Sequence, residues 1–183
     1  MDPETDYRIY MFGIDEQTGE INTEVTFSDV FTTPARKVSE SYITINTDKY
    51  FDGFEVFKEY PNDFGDADGW AVLPLEVEIH GDVVEYYYDV YVGDVTDVTY
   101  PTDDEIILDL AQYGKHNEPM TYSYCYFYEP LTLIYFSKDS DDNNSVVTRV
   151  PLYLDPENCT DMSEFPFNPT EATAVKAERK FVK

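Results

Sequence analysis

The stretch that most restricts what this chain can fold into is residues 131–154, LTLIYFSKDSDDNNSVVTRVPLYL. Leu131, Leu133, Tyr135 and Ser137 alternate with Thr132, Ile134 and Phe136, the period of two that puts successive side chains on opposite faces of a strand. Residues 146–154 are rich in β-branched side chains, and residues 139–145 between the two runs are turn chemistry. This pattern is a β-hairpin. It occurs once before. Residues 7–15 (YRIYMFGID) lie over residues 131–139 (LTLIYFSKD), with Phe12 over Phe136, Gly13 over Ser137 and Asp15 over Asp139. A repeat of this kind indicates tandem copies of one module.

Strand signals fill most of the interval. Residues 42–45, 53–60 and 70–80 read as strands, with a loop rich in Gly and Asp at 62–69. In residues 83–92, Val84, Tyr86, Tyr88, Val90 and Val92 share the face expected to be core. Glu85, Tyr87, Asp89 and Tyr91 share the face expected to be exposed. Residues 102–114 break the β pattern: Thr102 and Glu105 make a capping box, Ile106, Leu110 and Tyr113 recur at helical spacing, and Gly114 suits a helix end. One helix of about three turns is expected there. Residues 121–128 return to strand. Residues 33–37 read as one linker and 163–169 as another. The tail from 170 on, with Lys176, Arg179, Lys180 and Lys183, reads as the opening of a further segment or as disordered.

A chain of 183 residues can bury a sizeable core, and its 17 Tyr and 12 Phe suit strands, where one ring face packs while the hydroxyl stays wet. The net charge of −26 repels phosphate backbones and anionic lipid surfaces, so nucleic acid is excluded as a partner class. No apolar run approaches the roughly 20 residues of a spanning helix. The opening Met1-Asp2-Pro3-Glu4 lacks the pattern of a leader peptide. Cys125 and Cys159 are compatible with a disulfide or with two thiols.

Residues 1–7 (MDPETDY) match the L-x-P-x-T-x-Y lead-in to strand F of fibronectin type III modules, with Met1 where leucine is usual and Tyr7 as the corner tyrosine. The chain therefore resembles tandem fibronectin type III-like modules of bacterial surface and periplasmic lipoproteins. The second copy departs from the pattern, since Tyr128-Glu129-Pro130-Leu131 replaces the lead-in. The resemblance implies an all-β fold: an immunoglobulin-like β-sandwich with one inserted short helix, preceded by the terminal hairpin of another such module. Residues 1–34 would be that hairpin, 38–160 the complete copy, and 161–183 a linker or the start of a further segment. Tyr7, Ile9 and Met11 would then form a core face short of cover, as in a piece of a longer protein. The resemblance also implies export to the cell surface or periplasm and a non-catalytic role as spacer or protein-interaction module.

No catalytic pattern stands out. His80 and His116 belong to no metal-ligand spacing, and no nucleophile elbow or phosphate loop is present. Asp139, Asp141 and Asn143 supply oxygens at positions 1, 3 and 5 of an EF-hand-like loop, which makes calcium the candidate ion. Asn144 stands at position 6 in place of Gly, and Val150 at position 12 in place of Glu. Asp63, Asp66 and Asp68 form a second acidic loop. The competing function is a carbohydrate-binding module in which exposed Tyr87 and Tyr91 stack on a sugar. A hydrolase using two of the many carboxylates is a third class. The partner is expected to be a protein or a glycan.

Overall fold

The computed structural model describes residues 4–35 and 37–167, together with the backbone of residues 174–176. The chain divides after Lys37 into two units. The first is an irregular antiparallel hairpin. β1 (Asp6–Tyr7) pairs with β4 (Phe31–Thr32), and β2 (Tyr10–Met11) with β3 (Thr26–Phe27). Between the two ladders the Ser28 hydroxyl accepts from the Ile9 N–H at 3.1 Å, so a side chain stands in for a strand bond. A two-stranded hairpin has little against which to pack. Ile9, Tyr10, Met11, Phe12 and Phe27 are exposed, Tyr10 to 61%. Tyr7 is half-buried, its ring stacked 6.2 Å from Phe31. Residues 1–3 of the lead-in lie outside the described residues.

The second unit is an all-β sandwich with two short helices. Sheet I orders β5 (Tyr42–Ile45), β7 (Trp70–His80) and β10 (Met120–Tyr126), all antiparallel, and β6 (Phe51–Asp52) also pairs with β7. Sheet II orders β12 (Thr148–Tyr153), β11 (Pro130–Asp139), β8 (Val83–Val92) and β9 (Lys115–His116), again antiparallel. Gly81, at φ +84°, helps carry the chain from β7 in one sheet to β8 in the other across two residues.

The period of two divides the strands between an inner and two outer cores. Ile43, Leu73, Leu75 and Cys125 of sheet I meet Tyr88, Val90, Leu131 and Leu133 of sheet II. Each large apolar side chain so buried contributes about 1.5–3 kcal/mol. The hairpin at 131–154 forms as its alternation indicates, with Leu131, Leu133 and Tyr135 facing inward.

Both outer faces are covered as well. α2 (Asp103–Tyr113) starts from the expected capping box, in which Glu105 accepts from the Thr102 N–H at 2.8 Å and Thr102 Oγ1 accepts from the Glu105 N–H. Its Ile106 and Leu110 pack with Tyr87, Tyr91, Ile134 and Phe136 over sheet II. Arg149 fastens the approach to this helix. Its guanidinium donates to the carbonyls of Asp97 (2.8 Å) and Pro101 (2.9 Å) and to Asp103 Oδ1 (2.6 Å).

Two boundaries differ from the sequence reading. Residues 53–60, read as a strand, form a second helix, α1 (Gly53–Glu59). Its cause is local: Asp52 accepts from the N–H groups of Phe54 (2.9 Å) and Glu55 (3.1 Å), and Glu55 pairs with Lys58 one turn on. Gly53 is required because a Cβ there would lie 2.5 Å from the Ala67 carbonyl oxygen. α1 closes the outer face of sheet I through Val56, beside Phe51, Phe64, Tyr122 and Tyr124. Residues 161–167, read as lying beyond the module, fold onto this same face and bury Phe165. β13 (Ala174–Lys176) then lies parallel to β10, on the side away from β7. The rest of the tail lies outside the described residues.

Candidate functional site

Tyr87 and Tyr91 do not form the exposed platform that alternation along β8 suggested. Their face of the sheet is the one that α2 roofs. Tyr91 is 1% exposed and its hydroxyl donates to Asp109 Oδ2 at 2.5 Å. The Tyr87 ring is held between His116 (4.5 Å) and Phe136 (5.1 Å), nearly parallel to both. Its hydroxyl donates to Glu85, and burial first, then that bond, raise its pKa. Sugar stacking needs an open ring face, and these rings have none to offer. The exposed tyrosines of the sandwich are instead Tyr42, Tyr113, Tyr126, Tyr128 and Tyr153. Tyr128 and Tyr153 are neighbours, because the Tyr128 N–H donates to the Leu154 carbonyl at 3.0 Å.

Asp139, Asp141 and Asn143 are brought together, at the end of β11, but as a turn bonded to itself. Asp139 Oδ1 accepts from the N–H groups of Asp141 (3.0 Å) and Asn143 (2.9 Å), while the Asn143 side-chain amide donates to both Asp139 oxygens (3.1 and 3.2 Å). These bonds favour the ionised form, the backbone bond from Asn143 most of all, and hold the Asp139 carboxyl below its usual range. Asn143 thus presents N–H to Asp139 where a cation would need an oxygen. Asp142 pairs with Lys138 at 2.9 Å. Asp63, Asp66 and Asp68 are exposed on a loop held down by buried Phe64 and Ala67. Among the described residues no group of three or more His, Cys, Asp or Glu has the arrangement of a metal site.

The histidines and cysteines are likewise occupied by the fold. His80 stacks on Tyr42 at 4.6 Å with Nε2 3.0 Å from Thr44 Oγ1, and His116 covers Tyr87. Both cysteines are unbridged; burial pushes the Cys125 thiol up to about 12 and the Cys159 thiol to about 11. A fully buried structural thiol such as Cys125 is inert. Concave ground lies along sheet I, where a cavity of about 200 Å³ lined by Lys49, Glu76, Met120 and Glu164 meets a groove of about 560 Å³ along Thr44, Asn46, Glu76 and Glu78. Lys49 and Glu164 form an ion pair of 2.8 Å across the first.

Two features escaped the sequence reading. One is the aromatic pair Phe165 and Phe167, whose signal was two phenylalanines inside a supposed linker. The other is the pair Tyr128 and Tyr153, which becomes a pair only once the hairpin register is known. No family model, curated protein or solved structure matches the chain.

Proposed function

We propose that this chain is a non-catalytic protein-interaction and spacing element of an exported bacterial surface protein, built from fibronectin type III-like modules. The observation that carries the reading is the apolar surface of the first unit: Ile9, Tyr10, Met11, Phe12 and Phe27 stand exposed on a hairpin with almost no core of its own. Tyr10 and Phe27 pair across the hairpin at 6.0 Å, and large apolar side chains left exposed in such number mark a contact site. The strand order of the second unit supports the module assignment, since β5, β7 and β10, joined at the margins by β6 and β13, lie in one sheet and β12, β11, β8 and β9 in the other, a two-sheet division as in sandwiches of that class. The acids with lowered pKa support the non-catalytic role, because local turn bonds account for them: Thr96 and Ser163, through hydroxyl and then N–H, for Asp94 and Asp161, the Thr18 and Gln17 N–H groups for Asp15, and the Asn143 N–H with the Ser39 hydroxyl for Asp139.

The test is capture of a surface protein by the intact chain, compared with Tyr10→Ser/Phe27→Ser. Loss of capture with an unchanged melt of the sandwich supports the reading. Equal capture by the variant sinks it. An acidic body steers a basic partner with an on-rate that falls as salt rises, whereas the apolar contact itself tolerates salt. Carbohydrate binding is the second reading, favoured by the exposed neighbours Tyr128 and Tyr153. A glycan-array signal lost with Tyr128→Ala or Tyr153→Ala would replace the first reading with it.

A further inference from the structure

After β12 the backbone returns to sheet I. The Tyr50 hydroxyl donates to the Asp155 carbonyl (2.9 Å), and the Thr160 N–H donates to the Tyr50 carbonyl (2.8 Å). Asp161 caps a short 3-10 turn, Met162–Glu164, and the next residues enter an aromatic cradle. The Phe165 ring lies 4.9 Å from Phe51 and 5.5 Å from both Phe64 and Tyr122; Phe167 lies 4.3 Å from Tyr60. Between the two, the Tyr122 hydroxyl donates to the Pro166 carbonyl. Residues 174–176 then run parallel along residues 122–124 of β10. Rings in pockets together with backbone on a sheet edge is the mode by which folded domains hold extended peptides.

We propose that the cradle of Phe51, Tyr60, Phe64 and Tyr122, together with the edge of β10, is a peptide-acceptor site whose occupants are residues 161–167 in the cradle and the backbone of 174–176 on the edge. Both are supplied by their own chain here, and they exchange for the same residues of a second copy. Three observations carry this. The anchoring ladder is parallel, the weaker kind, and spans three residues. The segment follows every other strand of the sandwich in the sequence, so its departure breaks no hairpin. An exchanged copy would make the same contacts, which is why swapping of this sort costs little. Charge acts in the same direction: the segment leads into Lys176, Arg179, Lys180 and Lys183 in a chain of net charge −26, so a tail is drawn to the body of any copy.

The test uses the full chain with a protease site inserted between Thr160 and Asp161. After folding and cleavage the tail should co-elute with the body on gel filtration, then be displaced by excess labelled peptide of residues 161–178. The same peptide carrying Phe165→Ala and Phe167→Ala should compete about 100-fold less well, from the loss of two packed rings. Should the insertion prevent folding, the uncut wild type decides: concentrated full chains, warmed towards the melt and cooled, should yield a dimer by light scattering that the labelled peptide converts to monomer. A cleaved tail that falls away overturns the proposal. A tail that stays but never exchanges overturns it too, because the contact would then be an ordinary part of the core. For the wild type, failure to form any peptide-sensitive dimer is the overturning result.

Discussion

Residues 7–15 and 131–139 share one pattern of alternation, yet their side chains meet opposite fates. In the second copy Leu131, Leu133, Ile134 and Phe136 are all buried, with β8 and β12 on either side, sheet I beneath and α2 above. In the first, Ile9, Met11 and Phe12 are exposed on a ladder interrupted by a serine hydroxyl. Alternation therefore specifies that a strand forms and which residues share a face. What covers each face is decided by elements distant in sequence. In the second copy those are β8, starting at Val83, and the helix at Asp103–Tyr113.

The largest expected contrast follows from this. Leu133→Ala removes a fully buried side chain between the sheets and should cost about 2–5 kcal/mol of unfolding free energy. Met11→Ala, at 64% exposure on the other hairpin, should stay within about 0.5 kcal/mol. Chemical denaturation of both variants makes the measurement. Similar losses from the two would show that the first hairpin is covered in solution and would remove the basis for reading it as a contact surface.

A smaller contrast separates two arginines. Arg149 is buried and satisfies the carbonyls of Asp97 and Pro101 and the Asp103 carboxylate. Arg149→Ala leaves those acceptors without their donor and should cost about 2–3 kcal/mol, with loss of protection at the start of α2 in hydrogen exchange. Arg8 lies 5.2 Å over the exposed Phe27 ring, and Arg8→Ala should cost no more than about 0.5–1 kcal/mol. An Arg149 variant as benign as the Arg8 one would mean that the loop before α2 is held by other contacts.

The contrast also explains how much was legible in the sequence. The capping box of α2, the hairpin at 131–154 and the division of β11 between two faces follow from local chemistry, and all three are present. The burial of Tyr87 and Tyr91 does not follow, because period two assigns residues to faces without saying which face is wet. A hint existed in the run Tyr86-Tyr87-Tyr88, which is too aromatic for a strand with a solvated side. α1 was hidden by its length: seven residues with Phe54 and Val56 also fit a strand, and only the Asp52 cap and the Glu55–Lys58 pair tell them apart. The acidic turn was legible as a turn. That its oxygens serve its own backbone was visible only in three dimensions.

Asp15 and Asp139 occupy equivalent positions in the repeat, and both cap their turns. Asp15 accepts from the N–H groups of Thr18 and Gln17, and these bonds lower its pKa below the ordinary 3.8 as the Asn143 bond does for Asp139. A carboxyl with a depressed folded pKa contributes stability above its unfolded value and loses it as pH falls through the folded value. Asp139→Asn should therefore lower the melting temperature at pH 7, and the gap from wild type should close as pH drops below about 3.8. Asp15→Asn should instead change hydrogen exchange of the first hairpin alone. A gap for Asp139→Asn that persists at pH 2 would mean that the charge is not what the turn uses.

Calcium should produce the smallest effect of all. The ion takes six to eight oxygens, and the 139–143 turn would have to give up its own bonds to supply even three. Asp139 would release two backbone N–H groups, and the Asn143 amide would have to turn its oxygen inward. That cost comes off the binding energy, so dissociation constants above the millimolar range are expected. At millimolar calcium the stabilisation is then below about 0.4 kcal/mol, a melting shift of about 1 °C or less against chelator. The equivalent Asp15 turn is the control inside the same chain. A shift of several degrees that Asp139→Asn abolishes and Asp15→Asn leaves in place would show that the turn opens to a metal, and the two copies would then differ in chemistry as well as in burial.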